Sequence, residues 1–163
     1  MTTTAQPSAA ERAAAFGLHS LTPHLVCAGA AAAIDFYKAA FGAEELMRLP
    51  APDGSILHAC IRVNGSSVML VDENRGCGLS GPKALGGTAV TLHLVVDDVD
   101  AAVDRAIAAG AVVVMPVADQ FWGDRYGVIA DPFGHQWSLA TPGEPKSPEE
   151  IAEAAAAAMA ADA

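Results

Sequence analysis

The sequence predicts an α+β fold built from two tandem βαβββ modules. Two observations carry that prediction. The phrase TPHLV at Thr22–Val26 returns as TLHLV at Thr91–Val95, and Ala33, Ile34 and Asp35 return as Ala102, Val103 and Asp104, at a constant offset of 69 residues. In each copy the strand-like phrase leads into an alanine-rich helical segment. Three short β-branched or alternating runs follow, separated by turn signals.

The elements are expected in this order. Residues 1–18, rich in Ala, Thr and Ser, read as a flexible N-terminal tail. Residues 19–75 form the first module. After its opening strand, AAAAIDFYKAAFGA places Ile34, Tyr37, Lys38 and Phe41 at helical spacing and ends at Gly42, a C-terminal stop. EELMRL, ILHACIRV and SVMLVD follow as strands, with PDG and NG as turns, the latter marking a tight hairpin. Residues 76–88 are a glycine-rich connector, whose glycines lack phosphate-loop spacing and the helix that must follow it. Residues 89–142 repeat the pattern. DAAVDRAIAAGA is the helix, stopped at Gly110, and VVVMPV, RYGVIA and HQWSLA are the strands; DPFG sets Pro132 and Gly134 in a type I turn. Residues 143–163 form an Ala-rich helical tail. Ser147 is its N-cap, Pro148 its first helical residue, and Glu149 and Glu150 complement the helix dipole.

Composition excludes several classes. The formal net charge of −10, from 19 acidic against nine basic residues, repels phosphate backbones and anionic bilayers. No apolar run reaches the roughly 20 residues of a membrane helix, and residues 1–15 lack the basic start and apolar middle of a signal peptide. Neither nucleic acid nor membrane is an expected partner, and a cytoplasmic location is expected. Cys27, Cys60 and Cys77 are odd in number and share no C-x-x-C spacing, so neither a disulfide framework nor a thiolate zinc site is indicated.

Strand alternation divides each sheet into two faces. Leu25, Cys27, Leu57, Ala59, Ile61, Val63, Met69, Val71, Leu92, Leu94, Val96, Trp137 and Leu139 are expected beneath the helices. Thr22, His24, His58, Cys60, Arg62, Leu70, Asp72, Thr91, His93, Arg125, Gln136 and Ser138 fall on the opposite face. Histidines, an arginine pair and hydroxyls among small apolar groups suit a groove wall. They equally suit an antiparallel sheet that shows its polar side to water.

Four blocks, AAIDFYKAAFGAEE, HACIRVNGSSVMLVDE, LHLVVDDVDAAVDRAIAAGA and FWGDRYGVIADPFGHQWSLATP, stand in order between about Leu21 and Pro142. In them the chain resembles the vicinal oxygen chelate (VOC) superfamily of glyoxalase I, extradiol dioxygenases, fosfomycin-resistance transferases and bleomycin-binding proteins, and within it the PhnB-like, glyoxalase-like branch. The resemblance implies that the modules form a U-shaped half-barrel groove, commonly within a homodimer. It also implies a divalent metal held by the first and last strands of each module, usually through His, Glu or Gln. Carried over one at a time, those positions are Thr22, Leu70, Thr91 and Ser138. Leu70 has no donor and neutral hydroxyls bind such metals weakly, so the usual site is absent and no cofactor is predicted.

His24 and His93 lie two residues further along their strands. With Asp72 and Gln136 they form a displaced metal constellation if all four converge. Otherwise the two histidines hydrogen-bond a ligand or each other, or are satisfied by neighbouring backbone. His58 is a candidate acid or base, with a partner role to Asp72 or simple solvation as alternatives. Cys60 serves as a nucleophile only if a base lowers its pKa, and otherwise lines the groove. His135 is expected to secure the DPFG turn. Phe121 and Trp122, in DQFWGDRYG with Arg125 and Tyr126, offer flat area for a planar ligand, while Asp119 and Asp124 attract a cationic one. The alternative is that these aromatics cap the sheet or pack in a dimer interface.

Three functions follow from this reading. The first is metal-free binding of a small aromatic or cationic molecule, contacted by His24, Arg62, Asp72, Thr91, His93, Phe121, Trp122, Arg125, Gln136 and Ser138. The second is a lyase, isomerase or oxygenase acting on a small oxygenated substrate. It would use the displaced metal, or His24, His58 and His93 as acid and base. The third is an interaction module with no small ligand.

Overall fold

The computed structural model describes residues 6–161 and divides the chain into two units, with the boundary between Leu85 and Gly86. In the first unit, α1 (Ala9–Ala14) precedes β1 (His24–Cys27), α2 (Ala30–Phe41), β2 (Glu44–Pro50), β3 (Ile56–Val63), β4 (Ser66–Asp72) and the short α3 (Pro82–Leu85). In the second come β5 (Thr91–Val95), α4 (Val99–Ala108), β6 (Val112–Asp119), β7 (Arg125–Ala130), β8 (Gln136–Thr141) and α5 (Pro148–Ala161). Both units are mixed four-stranded sheets of the same topology, ordered β1-β4-β3-β2 and β5-β8-β7-β6. In each the first strand pairs parallel to the last, and the other pairings are antiparallel. The expected βαβββ repeat is therefore present.

Residues paired across neighbouring strands share a face, which makes the register decisive. In the first unit Ala59 pairs with Leu70, Ile61 with Val68 and Leu25 with Leu70. All five are buried, and Ile34, Tyr37 and Ala40 of α2 supply the covering layer. In the second, Leu94 pairs with Leu139 and Ile129 with Trp137, beneath Val99, Ala102, Val103 and Ala106 of α4. The β3–β4 hairpin turns on Asn64 (φ 43°) and Gly65 (φ 84°), the left-handed pair that a two-residue type I′ turn demands.

Four expectations are corrected. Leu70 is fully buried on the helix side, while Met69 and Val71 share the face of His24; the β4 alternation had been set one residue out of step. Both faces of β4 carry apolar side chains, so hydrophobicity alone cannot tell them apart. Leu57, expected in the core, is 55% exposed. The segment read as a flexible tail contains α1, started by a capping box in which the Ser8 side chain accepts from Glu11 N and Glu11 accepts from Ser8 N. The connector is also partly ordered, by a 3₁₀ turn at Arg75–Cys77, an Asn74–Leu79 bridge and α3.

Candidate functional site

In the first unit the face opposite α2 is built on one row across the sheet. Met47 of β2 pairs with Cys60 of β3, Cys60 with Met69 of β4, and Met69 with His24 of β1. His58 stands two residues before Cys60 on the same face, its ring centroid 5.7 Å from that of His24 at an interplanar angle of 82°. Partial desolvation, and secondarily the charge that His58 carries when protonated, hold the His24 pKa below the ordinary histidine value. Burial pushes the Cys60 thiol up, with Arg62 opposing the shift, so this cysteine is not an activated nucleophile. Arg62 pairs with Glu44 at 3.1 Å.

Thr22 lies just before β1, and its hydroxyl is already engaged. It donates to His19 O at 3.0 Å and is hydrogen-bonded to Ser67 Oγ at 3.1 Å. His19 closes this network. Its backbone N–H donates to Ser67 Oγ at 3.0 Å, its Nδ1 lies 2.8 Å from the same oxygen, and Ser67 N donates to Nδ1 at 3.2 Å. Sequence reasoning missed His19 because it lies at the edge of the stretch read as a tail. The Ser8-to-Glu11 capping signature was the available sign that chain before β1 is ordered.

Asp72 does not join the histidines. Its carboxylate accepts from Gly29 N at 2.9 Å and Ala30 N at 2.7 Å, at the start of α2, and from Ile56 N at 2.6 Å. It therefore closes the helix side of the sheet. Arg125 is corrected in the same direction. It forks onto Asp100 in the first turn of α4, at 2.5 and 2.7 Å, and reaches Asp119 at 3.1 Å. The two carboxylates raise the guanidinium pKa further, and the guanidinium in turn holds the Asp100 carboxyl below its ordinary value.

In the second unit Thr91, His93, Gln136 and Ser138 share the face opposite α4. Thr91 pairs with Gln136 and His93 with Ser138. The Thr91 hydroxyl meets Gln136 Oε1 at 3.5 Å, and His93 Nδ1 is hydrogen-bonded to the buried Ser138 Oγ at 2.8 Å. A line of rings runs from this pair into the β6–β7 loop. His93 stacks on Tyr126 (6.2 Å, 22°), Tyr126 meets Trp122 edge-on (5.5 Å, 78°), and Trp122 meets Phe121 (5.0 Å, 90°). Asp124 fixes the line by accepting from Trp122 Nε1 at 3.1 Å. His135 is buried in the turn, and its backbone N–H donates to Asp131 Oδ1 at 2.9 Å.

Residues 17–139 match the sequence profile of the Glyoxalase/Bleomycin resistance protein/Dioxygenase superfamily. The chain belongs to that superfamily. It is 56% identical over 135 residues to the uncharacterized protein Rv0887c of Mycobacterium tuberculosis, covering 81% of this chain and 79% of that one. Among solved structures, TioX from Micromonospora sp. ML1 aligns with a TM-score of 0.60 at 32% identity, over 74% of this chain and 96% of TioX. A Bacillus cereus PhnB protein, a putative 3-demethylubiquinone-9 3-methyltransferase, aligns with a TM-score of 0.59 over 76% of this chain and 99% of its own. At 19% identity that second likeness carries the fold alone.

The superfamily's metal does not fit the residues present. Met69, which pairs with His24, replaces Leu70 at the first unit's last-strand position, and it offers only a thioether; Thr22, Thr91 and Ser138 offer neutral hydroxyls. The displaced set fails as well, because Asp72 serves the helix side while His24 occupies the other face. Among the described residues no group of three or more His, Cys, Asp or Glu is placed to hold a metal ion. Nor is any helix among them long and apolar enough to cross a membrane.

Proposed function

We propose that this protein binds a small planar molecule, aromatic and preferably cationic, on the histidine-bearing sheet face, without a chelated metal. The observation that carries this reading is the line Phe121, Trp122, Tyr126, His93. It presents ring faces and edges of the kind that take up flat ligands. Asp124 at the indole edge and the net charge of −10 favour a cation over an anion. Thr91, Gln136 and Ser138 stand beside His93 to orient the ligand's polar atoms. A homodimer in the cytoplasm is the setting proposed for this activity.

Titration of Trp fluorescence with proflavine, a planar cation, tests the reading. Saturable quenching is expected, with affinity weakened about tenfold in Trp122→Ala. Equilibrium dialysis is expected to return the dye chemically unchanged. Unaltered affinity in Trp122→Ala, or binding abolished by a chelator, overturns it.

A second reading, proton transfer on a small oxygenated substrate, is favoured by the adjacent imidazoles His24 and His58 and the depressed pKa of His24. Its mark is turnover lost in both His24→Gln and His58→Gln and indifferent to chelator.

A further inference from the structure

We propose that residues 8–19 form a strap across the face of the first unit's sheet opposite α2, and that the hydrogen-bond cluster on Ser67 is a latch whose release uncovers His58 and Cys60. The strap rests on the acid–base reading of His58 for its use, and on geometry alone for its existence.

The strap is a self-contained body. A capping box starts α1, and the backbone bonds that follow run within the segment: Arg12 N donates to Ser8 O at 3.0 Å, Ala15 N to Glu11 O at 3.2 Å and Phe16 N to Ala13 O at 3.0 Å. Gly17 (φ 75°) closes the last turn in the left-handed conformation, with Gly17 N donating to Ala14 O at 2.9 Å and Leu18 N to Ala13 O at 3.1 Å. These residues therefore keep their backbone partners whether the strap lies on the sheet or leaves it.

Its course crosses three strands. Ser67 of β4 pairs with Arg62 of β3, which stands two residues beyond Cys60 on the same face. A Cβ on Gly17 would stand 3.2 Å from an Arg62 nitrogen and 3.1 Å from Leu46 Cδ1 of β2. Beside this close approach the strap stands off the sheet. Phe16 and Leu18 on one side, and Leu46, Met47, His58 and Cys60 on the other, line a gap of about 320 Å³.

Apolar burial does little to hold the strap down. None of residues 6–19 is buried, and Phe16 is 80% exposed. The hold falls to Ser67, which is itself buried. Its Oγ accepts from His19 N at 3.0 Å and meets His19 Nδ1 at 2.8 Å and Thr22 Oγ1 at 3.1 Å, while its N–H donates to Nδ1 at 3.2 Å. His19 is exposed, so water can take the place of Ser67 as its partner, which leaves each bond a modest net worth. A segment with few buried contacts and one exchangeable anchor opens locally while the sheet beneath it stays folded.

The test uses the full chain and its three cysteines as reporters of alkylation by N-ethylmaleimide. Exposed Cys77 reports the reagent, Cys27 in the core reports unfolding of the unit, and Cys60 beneath the strap reports its opening. His19→Ala is expected to raise the Cys60 rate about tenfold, with Cys27 and Cys77 unchanged. Because His19 is exposed, this variant keeps the melting curve of the parent. Ser67→Ala is expected to match its Cys60 rate. An unchanged Cys60 rate in either folded variant, or a rise in His19→Ala that Cys27 shares, overturns the proposal. The readout is a thiol and not turnover, so failure of the latch is distinguishable from failure of the acid–base reading.

Discussion

Asp72 and Thr141 occupy one place in two copies. Each is the last residue of its sheet's final strand, and each accepts a backbone N–H from the start of the helix above it, Ala30 N at 2.7 Å and Val99 N at 2.8 Å. The repeat has kept the task and changed the chemistry, from a carboxylate with three donors to a hydroxyl with one. Asp72→Ala orphans Gly29, Ala30 and Ile56 N–H groups and is expected to cost about 2–4 kcal/mol, against about 1 kcal/mol for Thr141→Val. Urea unfolding measures both. Equal costs would contradict the unequal roles assigned here.

The DPFG turn depends on a buried carboxylate. Asp131 accepts from Phe133 N and His135 N, each at 2.9 Å, and from Trp137 Nε1 at 3.0 Å. Asp131→Ala strands those donors where water does not reach and is expected to cost about 3 kcal/mol. Near-ultraviolet circular dichroism should lose the Trp137 signal before the far-ultraviolet spectrum changes.

The His24 and His58 pair gives a pH dependence with a definite sign. The folded pKa of His24 is below its ordinary value of 6.5, so between the two values the unfolded chain binds more protons. This contribution to stability is therefore complete above pH 6.5 and is lost as pH falls toward the folded midpoint. Proton NMR of the imidazole C2–H should show His24 titrating below 6.5. In His58→Gln its midpoint should move upward, because one of the two depressing causes is gone; a downward movement would refute the pairing.

Arg125 ties β7 to α4 through Asp100, and to β6 through Asp119. Its loss in Arg125→Ala is expected to lower the urea midpoint, with the difference shrinking in concentrated salt because the group is exposed. Affinity for proflavine should be retained. Lost affinity with unchanged stability would return Arg125 to the ligand side of the sheet.

The repeat, the eight strands and the two long module helices were legible because each unit alternates helical and strand periodicities between strong turn signals. Residues at strand ends were less legible. Asp72 and Arg125 are polar, so alternation sends them to the polar face. At the end of a strand, however, a polar side chain can reach the helix start, where unpaired N–H groups or a first-turn carboxylate await it. Leu70 and Met69 exchanged faces because β4 is covered on both sides and supplies no contrast. The His93, Ser138 and Gln136 side was correctly read, since β5 and β8 alternate buried apolar residues with polar ones. His19 had no periodic neighbours to reveal it.

The parallel pairing of β1 with β4 also has a consequence for biosynthesis. His24–Cys27 leaves the ribosome well before Ser66–Asp72, the strand it pairs with among the described residues, so the sheet edge can be completed only after the hairpin of β3 and β4 has emerged. The second unit imposes the same delay between Thr91–Val95 and Gln136–Thr141. Each nascent half therefore passes through a three-stranded stage whose open margin, offered by β4 or β8, is a template that a neighbouring chain's opening strand can occupy.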